Sequence, residues 1–403
     1  MRKPKLSDIF LNVLTALLSS VTIVLLVSIF IFIFKEGLGA LRFSMFTQPY
    51  WSENYYVSIP QSEGAYRLDI ELENGTYYSS KHGIALRDDL DAQNEAIIVI
   101  DYIHPNSSFN ALTNKTSGPL EGTDVIIDEG MIIRKISYLG ANDVVRSAGP
   151  VVKQNAKETI DTIEKYDVLS EAFIQSQGGG ILGSLIATMY LIMISLSISM
   201  PIGIMSAIYL NEYAKYHKMT PFVRGSIELL TGVPSIIYGL MGVLVLYPIT
   251  SVFGASGTSI LLGSMTLAII LLPTIIRTTE ESLKVVPQNF REASFSLGAN
   301  QTQTIFKIVL PAALPGILTA TILGIGRVIG ESAALIYTMG TFINDDPSLL
   351  QGATSLAVQI WSIMNGEQPN FALASSISII ILVMVLIMNI SVKSISRKLF
   401  KRW

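Results

Sequence analysis

Long runs of apolar residues without a single charge alternate along the chain with short polar stretches. Residues 9–34 are uncharged, as are 178–211 and the whole of 229–276. A hydrocarbon core about 30 Å thick needs roughly 20 apolar residues to cross it as a helix. The first run therefore predicts one spanning helix, the second another, and the third two, separated near Tyr247–Thr258. A fifth span is predicted over 308–342, which holds one Arg and one Glu, and a sixth over 370–390. Ser355–Met364 reads as a short amphipathic helix between the last two, either a docking ledge or a plug for the bundle. The first run is too long for a cleaved leader and lacks a clear small-residue cleavage site, so it is expected to stay as a helix.

Composition agrees with this picture. Half of the 403 residues are hydrophobic and 15% are charged, where soluble domains carry about a quarter. Cysteine is absent, which excludes disulfides, thiol catalysis and cysteine-bound metals. His82, His104 and His217 show no ligand spacing, so no metal site is expected. A net charge of −3 gives no nucleic-acid signal.

Lysine and arginine concentrate on the cytoplasmic side of membrane proteins. Arg2, Lys3 and Lys5, then Lys215, Lys218 and Arg224, then Arg277, Lys284, Arg291 and Lys307, and finally Lys393, Arg397, Lys398, Lys401 and Arg402 all fall on one side of a six-span chain. Both termini are thus expected in the cytoplasm of a plasma-membrane protein, with lipid around the spans. Residues 251–258 and 343–370, on the other side, contain no Lys or Arg. The expected organisation is 1–42 with the first span, an extracytoplasmic domain over 43–177, and 178–403 with five spans.

The 43–177 insertion carries 20 acidic and 10 basic residues, a net of −10. Its patterns are strand-like: 66–72 alternates before the turn pair Asn74-Gly75, 96–103 is β-branched, and 125–127 and 131–136 flank a turn at 128–130. Residues 151–173 read as a polar helix leading to the second span. A β-rich or α+β fold is expected, serving as a solubilising or docking domain. Asn74, Asn106 and Asn114 begin N-x-S/T triplets, which chance supplies often.

Between the fourth and fifth spans, Arg291-Glu292-Ala293-Ser294 is followed at set distance by Gly298, then by Ile308-Val309-Leu310-Pro311. This spells a short helix with small residues on one side, a glycine turn and a second helix over 302–309. A proline then opens the next span, where its missing N–H costs least. A knuckle joined rigidly to a span can carry force from a soluble partner.

The spacing matches E-A-A-x3-G-x9-I-x-L-P, the coupling-loop signature of ATP-binding-cassette importer permeases, with serine for alanine at Ser294. Further segments, among them Thr231-Gly-Val-Pro-Ser, Leu272-Pro-Thr-Ile-Ile-Arg277 and Gly324-Ile-Gly-Arg-Val-Ile-Gly-Glu331, resemble the PstA-type permeases of phosphate-uptake importers. The resemblance covers 178–403 closely and 7–42 loosely, but not 43–177. It implies the type I importer permease fold, an all-α membrane domain of six helices. It also implies a PstC-type partner forming a heterodimer, an ATPase dimer docking on a coupling loop over 286–311, and an extracytoplasmic phosphate-binding protein. Glu292, Ala293, Ser294, Gly298 and Ala299 would touch the ATPase.

No catalytic residues are expected. G-x4-G-K-[ST] is absent and no Gly precedes a Lys, so ATP and its magnesium would be bound by the partner ATPase and no cofactor by this chain. Ionisable residues in hydrocarbon are costly unless paired or facing a watery path. Arg327 and Glu331, i,i+4 on the fifth span, therefore either neutralise one another or line the path. Arg277, with Glu280 and Glu281, forms a second charged cluster that either snorkels to the interface or belongs to the path. The guanidinium fork suits a phosphate or another oxyanion such as molybdate, sulfate or phosphonate. A receptor sensing through the insertion is the reading from another class.

Overall fold

In a computed structural model the chain divides into two compact units, Met1–Arg42 with Ile181–Trp403, and Phe43–Gly180. The structure describes residues 6–61, 64–68, 70–72, 74–90, 96–116, 121–140, 144–176, 178–214, 218–366 and 369–400. Basic residues 2, 3, 5, 215, 401 and 402, and His217, lie outside the described residues.

The first helix, α1 (Leu6–Gly37), is apolar on all sides, and its residues 10–32 are exposed. The membrane unit resumes with α3 (Leu182–Ile208), continued by a π-helical turn at Tyr209–Tyr213, after the insertion has contributed one helix of its own, α2 (Ala156–Ile163). Then come α4 (Thr220–Thr231), α5 (Ser235–Met241), a π-turn at Gly242–Leu246, and α6 (Tyr247–Val252). After α7 (Ile260–Val285) and α8 (Gln288–Ser296), α9 (Gln301–Thr304) runs through a third π-turn at Ile305–Val309 into α10 (Leu310–Gly330). Finally α11 (Ala333–Thr338), α12 (Leu356–Met364) and α13 (Phe371–Phe400) complete the chain.

Among the described residues, six helical stretches are long and apolar enough to cross a membrane: Phe10–Gly37, Leu182–Tyr213, Ser235–Val252, Ile260–Val285, Gln301–Gly330 and Phe371–Ser394. The fifth departs from expectation. It starts seven residues before Ile308 and stops at Gly330, and Glu331 is extended (φ −77°, ψ 127°) before α11 begins.

Without a hydrophobic force between helices in lipid, close backbone approach and hydrogen bonds do the packing. A Cβ on Gly203 would lie 2.6 Å from the Ile275 side chain, and one on Gly239 would lie 2.8 Å from the Ala334 carbonyl oxygen. α1 meets α13 through Gly37, whose carbonyl accepts from the Ser376 hydroxyl at 2.7 Å. α12 is tucked into the bundle rather than laid upon it: Leu356, Val358, Gln359 and Ile363 are buried, and the Leu356 amide donates to Thr188 Oγ1 at 3.0 Å. The plug reading is the one this packing fits.

The insertion is one antiparallel sheet of β1 (Asn54–Ser58), β2 (Thr76–Ser79), β3 (Ile84–Leu90), β4 (Ala96–Ile103), β5 (Leu112–Asn114), β6 (Asp124–Val125), β7 (Ile132–Leu139), β8 (Val145–Ala148) and β9 (Leu169–Gln175). Its order is β2-β3-β4-β7-β9-β1-β5-β6. β9 lines one edge of β7, while β4 and β8 share the other. Alternate residues of the central strands, Ile98, Ile100, Ile133, Ala172 and Ile174, turn into a core closed by Phe109, Leu112 and the α2 residues Ile160 and Ile163. A capping box between Asn155 and Glu158 starts α2, as the first-turn amides require.

Two expectations are corrected here. The polar helix over 151–173 holds only in its middle, because Leu169–Gln175 is a central strand between β7 and β1. Residues 66–72 form no strand among those described, although the turn at Gly75 (φ 95°) is present. The strands that flank the 128–130 turn pair elsewhere, β6 with β5 and β7 with β4, β8 and β9.

Candidate translocation path and coupling loop

The coupling loop has the expected outline. The turn that follows α8 is made at Gly298, whose φ of 84° is left-handed, and Asn300 then caps the second limb with Gln303 as its reciprocal partner. That limb starts at Gln301 and is continuous with the fifth span.

Glu292 and Ala293 are exposed and Ala299 is half-buried. Ser294 faces inward: its hydroxyl sits 2.8 Å from Thr304 Oγ1, both side chains being buried. Of the residues expected to touch a partner, Ser294 therefore holds the loop's two limbs together instead. Sequence reasoning missed the large apolar side chains on the outer surface, Phe290, Phe295 and Leu297, the last 88% exposed. Exposed aromatic and leucine side chains clustered on one short helix mark an interaction surface.

Arg291 was also missed. Its Nη2 donates to Glu212 Oε1 at 2.7 Å and its Nε to Glu212 Oε2 at 3.3 Å. The same guanidinium donates to the carbonyls of Leu283 (3.1 Å) and Val286 (2.9 Å), which end α7.

The Arg277–Glu280 cluster divides into two separate contacts. Arg277 Nη1 lies 3.5 Å from Glu228 Oε1, and Arg277 is about half exposed. Glu280 is buried, with Arg224 Nη2 at 2.6 Å and Lys284 Nζ at 2.8 Å from its Oε1, while Glu281 is exposed. α4 carries Arg224 and Glu228 one turn apart, and each finds its opposite on α7. Glu280 Oε1 and Arg224 Nε make no well-angled hydrogen bond, so the attraction there is Coulombic rather than directional.

Arg327 and Glu331 do not share a helix face, because the helix ends between them. Glu331 Oε1 accepts from the Ala334 amide at 3.3 Å and so caps α11. Arg327, half-buried in the last turn of α10, lies within electrostatic reach of Tyr238. The ion pairs described within the membrane unit are Arg224–Glu280, Lys284–Glu280, Arg277–Glu228 and Arg291–Glu212, and Arg327 enters none of them.

Tyr238 serves a second break. Between α4 and α5 the helix is interrupted at 232–234, and Pro234, four residues after Leu230, has no N–H to give its carbonyl. The Tyr238 hydroxyl donates to that carbonyl at 2.7 Å. Irregular backbone at membrane depth is tolerated where the protein satisfies it in this way. The helices that follow the two breaks pack on one another, α11 lying on α5 at Gly239.

A cavity of about 490 Å³ opens elsewhere, lined by Met205, Tyr209, Leu210, Thr220, Val223 and Ile276 among others. None of its lining residues carries a charge, so it does not suit an anion.

Residues 199–402 match the family described as binding-protein-dependent transport system inner membrane component. The chain belongs to that family of ABC importer permeases. It is 32% identical over 240 residues to a probable ABC transporter permease protein, YqgI, of Bacillus subtilis, covering 56% of this chain and 80% of that one. It is 39% identical over 160 residues to the phosphate transport system permease protein PstA of Pasteurella multocida, covering 40% of this chain and 55% of that one. Among solved structures, a MetNI methionine ABC transporter chain aligns with TM-score 0.44 and 22% identity over 55% of this chain and 94% of that one. The chain is thus a multi-pass membrane subunit of a transporter, without enzymatic activity of its own, and its ATPase is a separate subunit.

Proposed function

We propose that this chain is the PstA-type permease subunit of an ATP-driven importer of inorganic phosphate. The observation that carries the reading is the coupling loop, a rigid knuckle continuous with the fifth span that turns Glu292, Ala293, Phe295 and Leu297 outward. The names of relatives such as the Pasteurella PstA point to phosphate.

In this reading both termini and the coupling loop lie in the cytoplasm, and residues 43–177 lie outside. A PstC-type permease completes the path as a heterodimer. Two ATPase subunits, which bind ATP and magnesium, grip the loop at Glu292, Ala293, Gly298 and Ala299. A phosphate-binding protein delivers substrate from outside. ATP-driven closure of the ATPase pair draws the coupling loops together and reorients the path.

Arg327 is the candidate contact for the anion, since it has a guanidinium fork and no ion-pair partner among the described residues. Arg277, Glu280 and Glu331 then frame the path through helix contacts and a helix cap. The acidic insertion solubilises the outer face or docks a partner.

Uptake of labelled phosphate into vesicles containing the assembled transporter tests the reading. ATP-dependent uptake that excess unlabelled phosphate abolishes and sulfate, molybdate and phosphonate leave intact is the expected result. Competition by one of the other oxyanions would assign the permease to that anion. Unchanged ATP-driven uptake with Glu292→Arg and with Gly298→Trp would remove the loop's coupling role.

A further inference from the structure

We propose that Glu212 and Arg291 form a positioning clamp that makes the coupling loop a single rigid lever with the ends of the second, fourth and fifth spans. The inference rests on the importer reading above for what the lever drives. Its geometry stands independently of the substrate.

The clamp is built from both sides. Arg291 rises from α8, and its fork meets the two carboxylate oxygens of Glu212 while its remaining donors reach Leu283 and Val286 at the end of α7. Glu212 lies in the π-turn that ends the second span, and Asn211 Nδ2 donates to its Oε1 at 2.8 Å. The other limb of the loop grips the same turn: Gln301 Nε2 donates to the Glu212 carbonyl at 2.9 Å, and Thr302 Oγ1 lies 3.2 Å from the Tyr213 hydroxyl. Ser294 and Thr304 tie limb to limb. Beneath these contacts lies a buried apolar cluster that includes Leu210, Leu283, Val286, Ile305 and Val309.

Both partners of the pair are nearly dry, 11% and 10% exposed. Surface ion pairs that water screens contribute little, whereas removing one member of a buried pair strands the other charge. Lysine would not replace Arg291, because a single ammonium cannot span a carboxylate and two carbonyls at once. A push on α8 therefore reaches three spans with no hinge in between. The pivot of the movement must lie beyond Glu212, Leu283 and Val309.

Absence of cysteine from the chain makes the test direct. Spin labels on Ser296→Cys in α8 and Tyr209→Cys at the second span, both exposed positions, report the distance across the clamp in the assembled transporter. A single narrow distance, identical with and without ATP, is expected. Glu212→Gln and Arg291→Lys should each broaden that distance. Phosphate taken up per ATP hydrolysed should fall by about tenfold in each, with hydrolysis continuing. A distance that changes on ATP binding, or stays narrow in both variants, overturns the clamp. If Glu212→Gln fails to assemble, Arg291→Lys decides by the same readings. Absence of phosphate uptake by the unsubstituted assembly would sink the importer reading and leave the distance measurement to judge the lever.

Discussion

The Ser294 and Thr304 hydroxyl oxygens lie 2.8 Å apart in the closed angle of the coupling loop, with both side chains buried. The serine stands where the coupling-loop signature has alanine, so the substitution adds a staple rather than merely another small residue. Ser294→Ala leaves the Thr304 hydroxyl without this partner and should cost about 1 kcal/mol. Thr304→Val added to it should recover most of that loss. Thermal inactivation of the two variants beside the parent checks this, and parental stability in Ser294→Ala would show that the hydroxyl pair contributes nothing.

Gly298 has a left-handed backbone with open space around its missing side chain. Any penalty for substitution there is conformational, about 1–2 kcal/mol for an ordinary L-residue and less for asparagine. ATPase retention on purification should therefore decrease in the order Gly, Asn, Ala, Val. A flat series would mean that the turn does not set the loop's shape.

Gly239 presents the opposite case. Its φ is ordinary for a helix, but a Cβ would lie within 3 Å of the Ala334 backbone. Gly239→Ala should cost about 1–3 kcal/mol by prying α5 from α11. Gly326→Ala is the control, because nothing lies within 4 Å of its Cβ position, and it should be neutral or stabilising by roughly half a kcal/mol. Melting temperatures that rank the two the other way would contradict the close approach.

His82 gives the insertion a pH response. Burial lowers its pKa below the ordinary 6.5, although the carbonyls of Ile163 and Tyr166, within 3.0 and 3.1 Å of Nε2, partly oppose the shift. Below about pH 6.5 the unfolded chain takes up a proton that the folded one resists, so stability falls with pH until the folded-state pKa is passed. Hydrogen-exchange protection at residues 79–84 and 160–166 in the full chain, corrected for the intrinsic slowing of exchange toward acid, should fall between pH 7 and 5.5. His82→Gln should flatten that part of the dependence, and an unchanged slope in this variant would clear His82 of the effect.

Arg327→Lys keeps the charge and loses the fork. Phosphate uptake should fall by about tenfold or more while the complex still assembles and hydrolyses ATP. Parental uptake in this variant would return Arg327 to a structural role beside Tyr238.

Membrane spans were legible in the sequence because hydrocarbon tolerates few exceptions, so runs such as 9–34 and 229–276 carry a single meaning. The coupling loop was legible for a similar reason, since Gly298 and Pro311 punctuate it at fixed distances. The break after Gly330 was not, because apolar residues continue on both sides and only the Glu331 carboxylate reaching the Ala334 amide marks the interruption. β9 was mistaken for helix because Leu169, Ala172 and Phe173 fall at helical spacing, and an irregular register opposite β7 makes that spacing compatible with a strand. Arg291 and Glu212 had no local signal at all, since their meeting depends on two spans lying side by side.

The bond from the Tyr238 hydroxyl to the Leu230 carbonyl fixes an elbow between α4 and the third span, where Pro234 interrupts the helical ladder. A chain bent in this way behaves as two short rods splinted at an angle. A load on α4 is thereby handed to α5, which rests against Ala334 of α11 at Gly239.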